Sequence, residues 1–201
     1  MQNLELKVRC TPELSLERIE DLACSAGANY ISTLRQRDTY FPVPYGRLKL
    51  REWWRQEDEL RGPNSDEEPS RPFAELGSEA GSSGATLIAY KRPDSEGSRM
   101  SDYLLSPVSE SLTLRTVLAE ALSTRVIIEK RRVLYQYGAT RIHLDTVRGL
   151  GTFVELETVF SDLASPDDLT TEHRQLIELL HLNQLPVIAH SYSDLLERLA
   201  Q

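Results

Sequence analysis

Alternating polar and apolar residues run through eight short segments of this chain. In most of them a hydrophobic residue recurs at every second position, which is the period of a β-strand with one buried face. Turn sequences such as YGAT and RGLG join several of the segments, so the pattern predicts strands in hairpin order. The predicted strands cover residues 3–10, 30–41, 45–54, 86–93, 99–108, 125–137, 140–147 and 152–160.

Helical spacing is found between these strands and after them. Thr11-Pro12 begins and Gly27 ends a helix predicted over about residues 14–26. A second helix is predicted over about 110–122, and two more should complete the chain within 165–201. This order of elements favours an α+β fold, in which an eight-stranded antiparallel β-barrel, closed or nearly closed, has helices packed outside.

Most charged residues of the strands occupy one of the two sets of alternate positions, called here a phase. In several strands the charges of this phase have a single sign. That phase is basic at residues 47–51 and 130–132 and acidic at 155–157. A solvated face usually mixes both signs, so the segregation favours strands around a shared volume whose opposed walls hold a polyanion and metal ions. The apolar phase would then face outward, under the helices. An open sheet with a wet charged face stays an alternative.

Composition and charge narrow the function classes. The 201 residues are 40% hydrophobic and 27% charged, which is typical of one globular domain over residues 1–201. The net charge of −8 argues against a nucleic-acid partner. Because no apolar run suits a membrane span or signal peptide, we expect a cytoplasmic protein. Eight carboxylates against two arginines in residues 56–84 contribute −6, so 57–84 is interpreted as an acidic, flexible insertion.

Eight short motifs, taken together and in this order, resemble the CYTH superfamily of triphosphate tunnel proteins. They span about residues 3–160 and read NLELKVR, DTYF, GRLKLRE, LIAYKRP, SDY, EKRRVLY, RIHLDTVRGLG and FVELE. That superfamily includes class IV adenylate cyclases, thiamine triphosphatase and inorganic triphosphatases. The resemblance implies an eight-stranded tunnel with a charged lumen, a substrate that carries a triphosphate, and a requirement for Mg²⁺ or Mn²⁺.

Individual site residues follow from the charged phase and from the resemblance together. The family's E-x-E-x-K signature falls on Asn3, Glu5 and Lys7, and Asn3 stands where the first glutamate would be. An amide oxygen can ligate a hard cation but brings no charge. Glu5 and Lys7 are the catalytic candidates, and Lys7 is either a phosphate ligand or a general base. The expected substrate ligands are Lys7, Arg9, Arg47, Lys49, Arg51, Arg92, Lys130, Arg132 and Arg141, and the expected metal ligands are Asn3, Glu5, Asp145, Glu155 and Glu157.

Three function classes compete at this point. The first expectation is a metal-dependent triphosphate hydrolase, in which water attacks the terminal phosphorus. The alternative is an adenylate cyclase, in which the ribose 3′-hydroxyl attacks the α-phosphorus of ATP and pyrophosphate leaves. A module that binds nucleotide or polyphosphate without turnover is the third. The expected partner is a small-molecule triphosphate, such as ATP or inorganic triphosphate, with no nucleic acid and no membrane, and a homodimer is left open.

Overall fold

The structure, a computed structural model, describes residues 2–56, 83–91, 99–160 and 165–199. Most of the predicted acidic insertion therefore lies outside the described residues, as does Arg92. Ser83 and Gly84, which the sequence placed in that insertion, belong instead to a strand. Within the described ranges, no helix is long and apolar enough to cross a membrane.

Eight strands and four α-helices make up the described chain. All eight predicted strands and all predicted helices are present, with boundaries that differ by at most a few residues. The strands are β1 (Gln2–Arg9), β2 (Asn29–Phe41), β3 (Arg47–Arg55), β4 (Ser83–Lys91), β5 (Arg99–Val108), β6 (Val126–Tyr137), β7 (Thr140–Val147) and β8 (Gly151–Val159). The helices are α1 (Leu16–Ser25), α2 (Ser111–Leu122), α3 (Pro166–Leu179) and α4 (Tyr192–Leu199), with a 3₁₀ turn at Leu182–Gln184.

The strands close into one antiparallel barrel in the order β1-β5-β4-β3-β2-β6-β7-β8. Five of the eight neighbouring pairs are consecutive in the sequence, β2 pairs with β6, and β1 closes the barrel by pairing with both β5 and β8. The β1–β5 seam is short and runs from Gln2 opposite Asp102 to Glu5 opposite Arg99. The predicted fold class is therefore confirmed.

The hydrophobic core lies outside the barrel wall, between the strands and the helices. Apolar residues that alternate with the charged ones on β7 and β8, such as Leu144 and Leu156, are at most 2% exposed and pack with Ile19 of α1 and Leu176 of α3. Leu50 of β3 is likewise buried, against α2. Since these side chains point outward, the intervening charged side chains point into the barrel.

One end of the lumen is filled by a second apolar cluster. Phe153 of β8, Ile128 of β6 and Tyr192 of α4 are each at most 5% exposed and pack together there. Tyr192 contacts the Phe153 ring edge-on, with ring centroids 5.0 Å apart. The C-terminal helix α4 therefore contributes to the inner wall as well as to the outer shell.

His173 of α3 is 2% exposed. Its Nδ1 lies 2.8 Å from the Thr158 hydroxyl of β8, and burial lowers the pKa of His173 to about 4. A neutral imidazole can be buried with one hydrogen-bond partner, so His173 fixes α3 to the barrel. The helical period places His173 on the same buried face as Leu169 and Leu176.

Candidate active site

A cavity of about 380 Å³ occupies the lumen and is lined by all eight strands and the start of α4. That volume suits a small-molecule ligand. Its wall is divided by chemistry: the cationic lining residues are Lys7, Lys49, Arg51, Lys130, Arg132 and Arg141, and the carboxylates are Glu5, Asp38, Glu155 and Glu157. Its apolar lining includes Ile31, Trp53, Ile88, Leu105 and Leu134.

Most of the site residues predicted from the sequence meet in this one cavity. Their convergence follows from the alternation of side chains along each strand, because one phase of every strand faces the lumen. Those that line the cavity are Asn3, Glu5, Lys7, Lys49, Arg51, Lys130, Arg132, Arg141, Glu155 and Glu157.

The first cationic group, named here the β3 clamp, consists of Lys49 and Arg51, which are held by Asp38 of β2. Arg51 donates from Nε and Nη2 to the two oxygens of Asp38 at 2.7 and 2.8 Å, and Lys49 Nζ donates to Asp38 at 2.8 Å. Burial opposes ionisation of Asp38, but Arg51 and Lys49 outweigh it and hold the pKa of this carboxyl well below its ordinary value. Burial and the neighbouring Arg51 lower the pKa of Lys49 to about 8.

The second group, the β6 clamp, repeats this arrangement with Lys130, Arg132 and Asp145. Arg132 donates from Nε and Nη2 to Asp145 at 2.6 Å each, and Lys130 Nζ lies 3.2 Å from the same carboxylate. The Tyr192 hydroxyl adds a fourth hydrogen bond at 2.9 Å. Burial, followed by Arg132, lowers the pKa of Lys130 to about 7.

Asp145 therefore has surroundings that the sequence did not predict. Expected among the metal ligands, it is 0% exposed and both its oxygens accept hydrogen bonds from the β6 clamp or Tyr192. It does not line the cavity. Its carboxylate orients two cations in the way that Asp38 does, because each aspartate lies on the strand next to its clamp.

Two predicted arginines also lie elsewhere. Arg47 Nη2 donates to Asp194 of α4 at 2.7 Å. Arg9 donates to the Leu150 carbonyl at 2.9 Å and lies over the Phe153 ring, 4.7 Å from its centroid. Both have the strand phase of the lumen residues, but each lies near the end that α4 and the apolar cluster close, and neither lines the cavity.

The acidic wall is formed by β1 and β8, with His143 of β7 beside it. Glu155 forms ion pairs with Lys7 at 3.3 Å and Arg132 at 2.9 Å. Glu157 lies 3.5 Å from Arg141. Burial opposes ionisation of Glu155. Lys7, a hydrogen bond with His143, and the charges of Arg132 and Lys130 nevertheless keep its pKa well below the ordinary value, so Glu155 is ionised at neutral pH.

The end of this wall near Asn3 contains an unsatisfied acceptor. Asn3 donates from Nδ2 to Glu157 at 2.5 Å, while its buried Oδ1 has no hydrogen-bond donor among the described residues. Glu5 lies directly opposite Glu157 in the β1–β8 register. Among the described residues, no group of three or more His, Cys, Asp or Glu side chains is arranged to hold a metal ion.

Sequence reasoning missed several residues of the cavity wall, above all Asp38, Tyr103 and Tyr192. Asp38 had a usable signal, since it shares the phase of Tyr40 on β2 and is an isolated acid facing a basic strand. Tyr103 lies in the SDY motif, but its own side chain carries no charge that would mark it as a site residue. Tyr192 arrives from α4 by tertiary packing, which strand alternation cannot predict.

Comparison with known proteins places this architecture in a family. The model of the CYTH domain matches residues 1–192. The chain belongs to the CYTH family. The predicted resemblance is thus confirmed, and the chain is a triphosphate-tunnel protein by family.

Relatives of this CYTH protein extend the comparison. A protein of Methanocaldococcus jannaschii named "putative adenylate cyclase" is 32% identical over 68 residues, which cover 34% of this chain and 39% of that relative. The match thus spans about two fifths of the curated relative's length.

Solved structures share the fold at low identity. The PH1012 protein of Pyrococcus horikoshii has a TM-score of 0.67 at 18% identity, covering 96% of this chain and 98% of that one. A protein of Vibrio parahaemolyticus, also named "putative adenylate cyclase", has a TM-score of 0.61 at 16% identity, with 97% of each chain covered. A chain of the Schizosaccharomyces pombe Mediator head module has a TM-score of 0.58 at 12% identity, covering 94% and 98%.

Proposed function

We propose that this CYTH protein is a metal-dependent enzyme that hydrolyses a triphosphate-containing substrate. The observation that carries the proposal is the pair of lysine-arginine clamps that share one cavity of about 380 Å³ with an acidic wall. Phosphoryl transfer asks a protein mainly for positioning and charge neutralisation. Buried cations beside carboxylates supply both.

The two clamps suit the phosphate oxygens of such a substrate. Asp38 and Asp145 bind Nε and Nη2 of their arginines, and Nη1 of Arg51 and of Arg132 forms no hydrogen bond within the described residues. Each guanidinium is thus fixed in orientation with a donor to spare. Arginine matches phosphate geometry bidentately, and lysine adds a point charge.

Lys7 fits the role of a phosphate ligand better than that of a general base. Its Nζ lies 3.3 Å from Glu155 and 4.1 Å from the centroid of the Tyr192 ring. A carboxylate and an aromatic face both favour the charged ammonium, whereas a general base must be neutral. This geometry favours the first of the two roles that the sequence left open.

A divalent cation fits the acidic wall only together with the substrate. Mg²⁺ is commonly held by one or two carboxylates plus substrate phosphates and waters, not by a cage of protein ligands alone. Glu5, Glu157 and the unsatisfied Oδ1 of Asn3 supply hard oxygen donors of that kind, with Glu155 next along β8. When bound, Mg²⁺ or Mn²⁺ would neutralise charge on the phosphate oxygens and polarise them. Asp145, which accepts hydrogen bonds from Arg132, Lys130 and Tyr192 and does not line the cavity, does not belong to this proposed set.

A second candidate is an adenylate cyclase. The apolar wall of Ile88, Leu105 and Leu134, with Trp53 beside it, can accommodate an organic group attached to the triphosphate. The name of the M. jannaschii relative favours the same reading.

Product analysis tests the proposal. The purified chain is incubated with ATP or inorganic triphosphate and with Mg²⁺ or Mn²⁺. Orthophosphate release supports the hydrolase, cyclic AMP with pyrophosphate supports the cyclase, and binding without product supports a binding module. Glu157→Gln should lower turnover at least tens-fold, whereas Glu129→Gln should not, because Glu129 pairs with Arg37 and Arg148 away from the cavity.

A further inference from the structure

Tyr103 of β5 has a hydroxyl group without a hydrogen-bond partner among the described residues. The side chain lines the cavity, and its oxygen is buried with no hydrogen bond to that part of the chain. Buried polar groups in native proteins nearly always have a partner, so an exception calls for a reason. An unsatisfied hydroxyl on a side chain that lines a cavity is suited to bind a ligand.

The neighbours of this hydroxyl identify the part of the cavity that it serves. Ser101 and Asp102, which precede Tyr103 on β5, pair with Asn3 and Gln2 of β1, so Tyr103 lies beside the start of β1 at the acidic wall. Glu157, Glu5 and Arg141 are the charged side chains that influence its ionisation. Burial, followed by Glu157, raises the pKa of Tyr103 to about 12. The hydroxyl therefore keeps its proton at neutral pH and can donate it in a hydrogen bond.

We infer that the Tyr103 hydroxyl donates a hydrogen bond to a phosphate oxygen of the bound substrate beside Glu5 and Glu157. The inference rests on the proposed triphosphate binding. Ionised phosphate oxygens are acceptors only, so they need donors from every side of the cavity. The two clamps supply charged donors from β3 and β6. At the acidic wall a neutral donor binds phosphate without taking the place of a cation held by the carboxylates.

Tyr135 of β6 provides a matched control on the outer side of the same barrel. Its hydroxyl donates to Glu20 of α1 at 2.7 Å, and its ring belongs to the core between barrel and helices. Removing either hydroxyl leaves a phenylalanine of nearly the same volume. Only the Tyr135 change breaks a hydrogen bond of the ligand-free protein.

The two substitutions should therefore give opposite signatures. Tyr103→Phe and Tyr135→Phe are compared with the wild type by thermal unfolding without ligand. The same proteins are then titrated calorimetrically with diimidotriphosphate, a triphosphate with N–H bridges, in the presence of Mg²⁺. We expect Tyr103→Phe to unfold at or above the wild-type temperature and to bind roughly tenfold more weakly or worse. Tyr135→Phe should unfold at a lower temperature with unchanged affinity.

Each other outcome overturns a definite statement. Wild-type affinity in Tyr103→Phe would overturn the inference and leave the proposed function standing. A clearly lower unfolding temperature in Tyr103→Phe would show that the hydroxyl stabilises the free protein and would overturn it too. If the wild type itself does not bind the probe, the proposed function fails and the inference with it.

Discussion

The β3 clamp and the β6 clamp are built alike but differ in how firmly they are enclosed. Each has a lysine and an arginine two residues apart on one strand and an aspartate on the next. The Arg51 side chain is 21% exposed, whereas that of Arg132 is 5% exposed. Of the two clamps, the β6 clamp is the one whose arginine and aspartate are contacted by Glu155 and Tyr192, respectively. The same Lys-x-Arg spacing thus produces one clamp with a partly exposed arginine and one that is enclosed by its surroundings.

Replacing the two aspartates should give the largest difference in unfolding free energy between the two clamps. Asp145→Asn leaves Lys130 and Arg132 buried with a neutral partner, and breaking such a buried ion pair costs about 3–5 kcal/mol of unfolding free energy. Asp38→Asn should cost less, because water reaches Arg51. Urea denaturation of both variants measures the difference, and an equal or greater loss in Asp38→Asn would contradict the ranking.

The Tyr192 hydroxyl is the next difference to remove. Tyr192→Phe deletes the hydrogen bond to Asp145 but retains the ring over Lys7. Hydrogen bonds to charged groups contribute about 1.5–3 kcal/mol, so the unfolding free energy should fall by that order. A variant as stable as the wild type would mean that the β6 clamp holds Asp145 without help from α4.

How far the sequence could predict this site depends on which contacts cross between elements. Strand alternation alone brings Lys49, Arg51, Lys130 and Arg132 to one lumen. It cannot predict that Asp145 accepts hydrogen bonds from Arg132 and Lys130, because those contacts depend on the register between β6 and β7. Arg47 has the right phase, but the position of α4 follows from packing of the whole chain and gives it Asp194 as a partner.

Affinity for a triphosphate should depend on pH through both clamp lysines. A bound polyanion favours charged ammonium groups, and the pKa values of the free protein are about 7 for Lys130 and about 8 for Lys49. Binding above those values must take up protons. The affinity for the triphosphate is therefore highest below about pH 7, where both lysines are charged. It falls as the pH rises above the pKa of Lys130 and then that of Lys49, by up to about tenfold per pH unit for each lysine.

Substitution of each lysine assigns its part of that profile. Lys130→Met should remove the dependence that begins near pH 7, and Lys49→Met the part that begins near pH 8. Calorimetric titration with diimidotriphosphate from pH 7 to 9 gives the curves. A flat wild-type profile, or one that both variants leave unchanged, would show that these lysines do not take up the protons.

The smallest effect is expected at Arg47, the arginine that shares the phase of the β3 clamp but pairs with Asp194. Arg47→Met should leave kcat/KM for the triphosphate within about twofold. Its ion pair with Asp194 joins side chains that are 13% and 16% exposed. The loss of this pair should lower the free energy of unfolding by about 1 kcal/mol. Arg51→Met, two residues away, should lower kcat/KM far more. Equal losses in the two variants would return Arg47 to the substrate-binding set.

The central claim is that the inward cations of the barrel bind a triphosphate, and adjacent arginines of β6 test it most directly. Arg132 lines the cavity, whereas Arg131 is exposed on the outer face. Lysine keeps the charge at either position but loses the planar fork. The measurement is kcat/KM on inorganic triphosphate and ATP for Arg132→Lys and Arg131→Lys, each checked by a thermal melt. We predict a loss of roughly tens-fold or more for Arg132→Lys and wild-type turnover for Arg131→Lys. Equal turnover in two folded variants, or a wild type inert on both substrates with Mg²⁺ and Mn²⁺, would contradict the account.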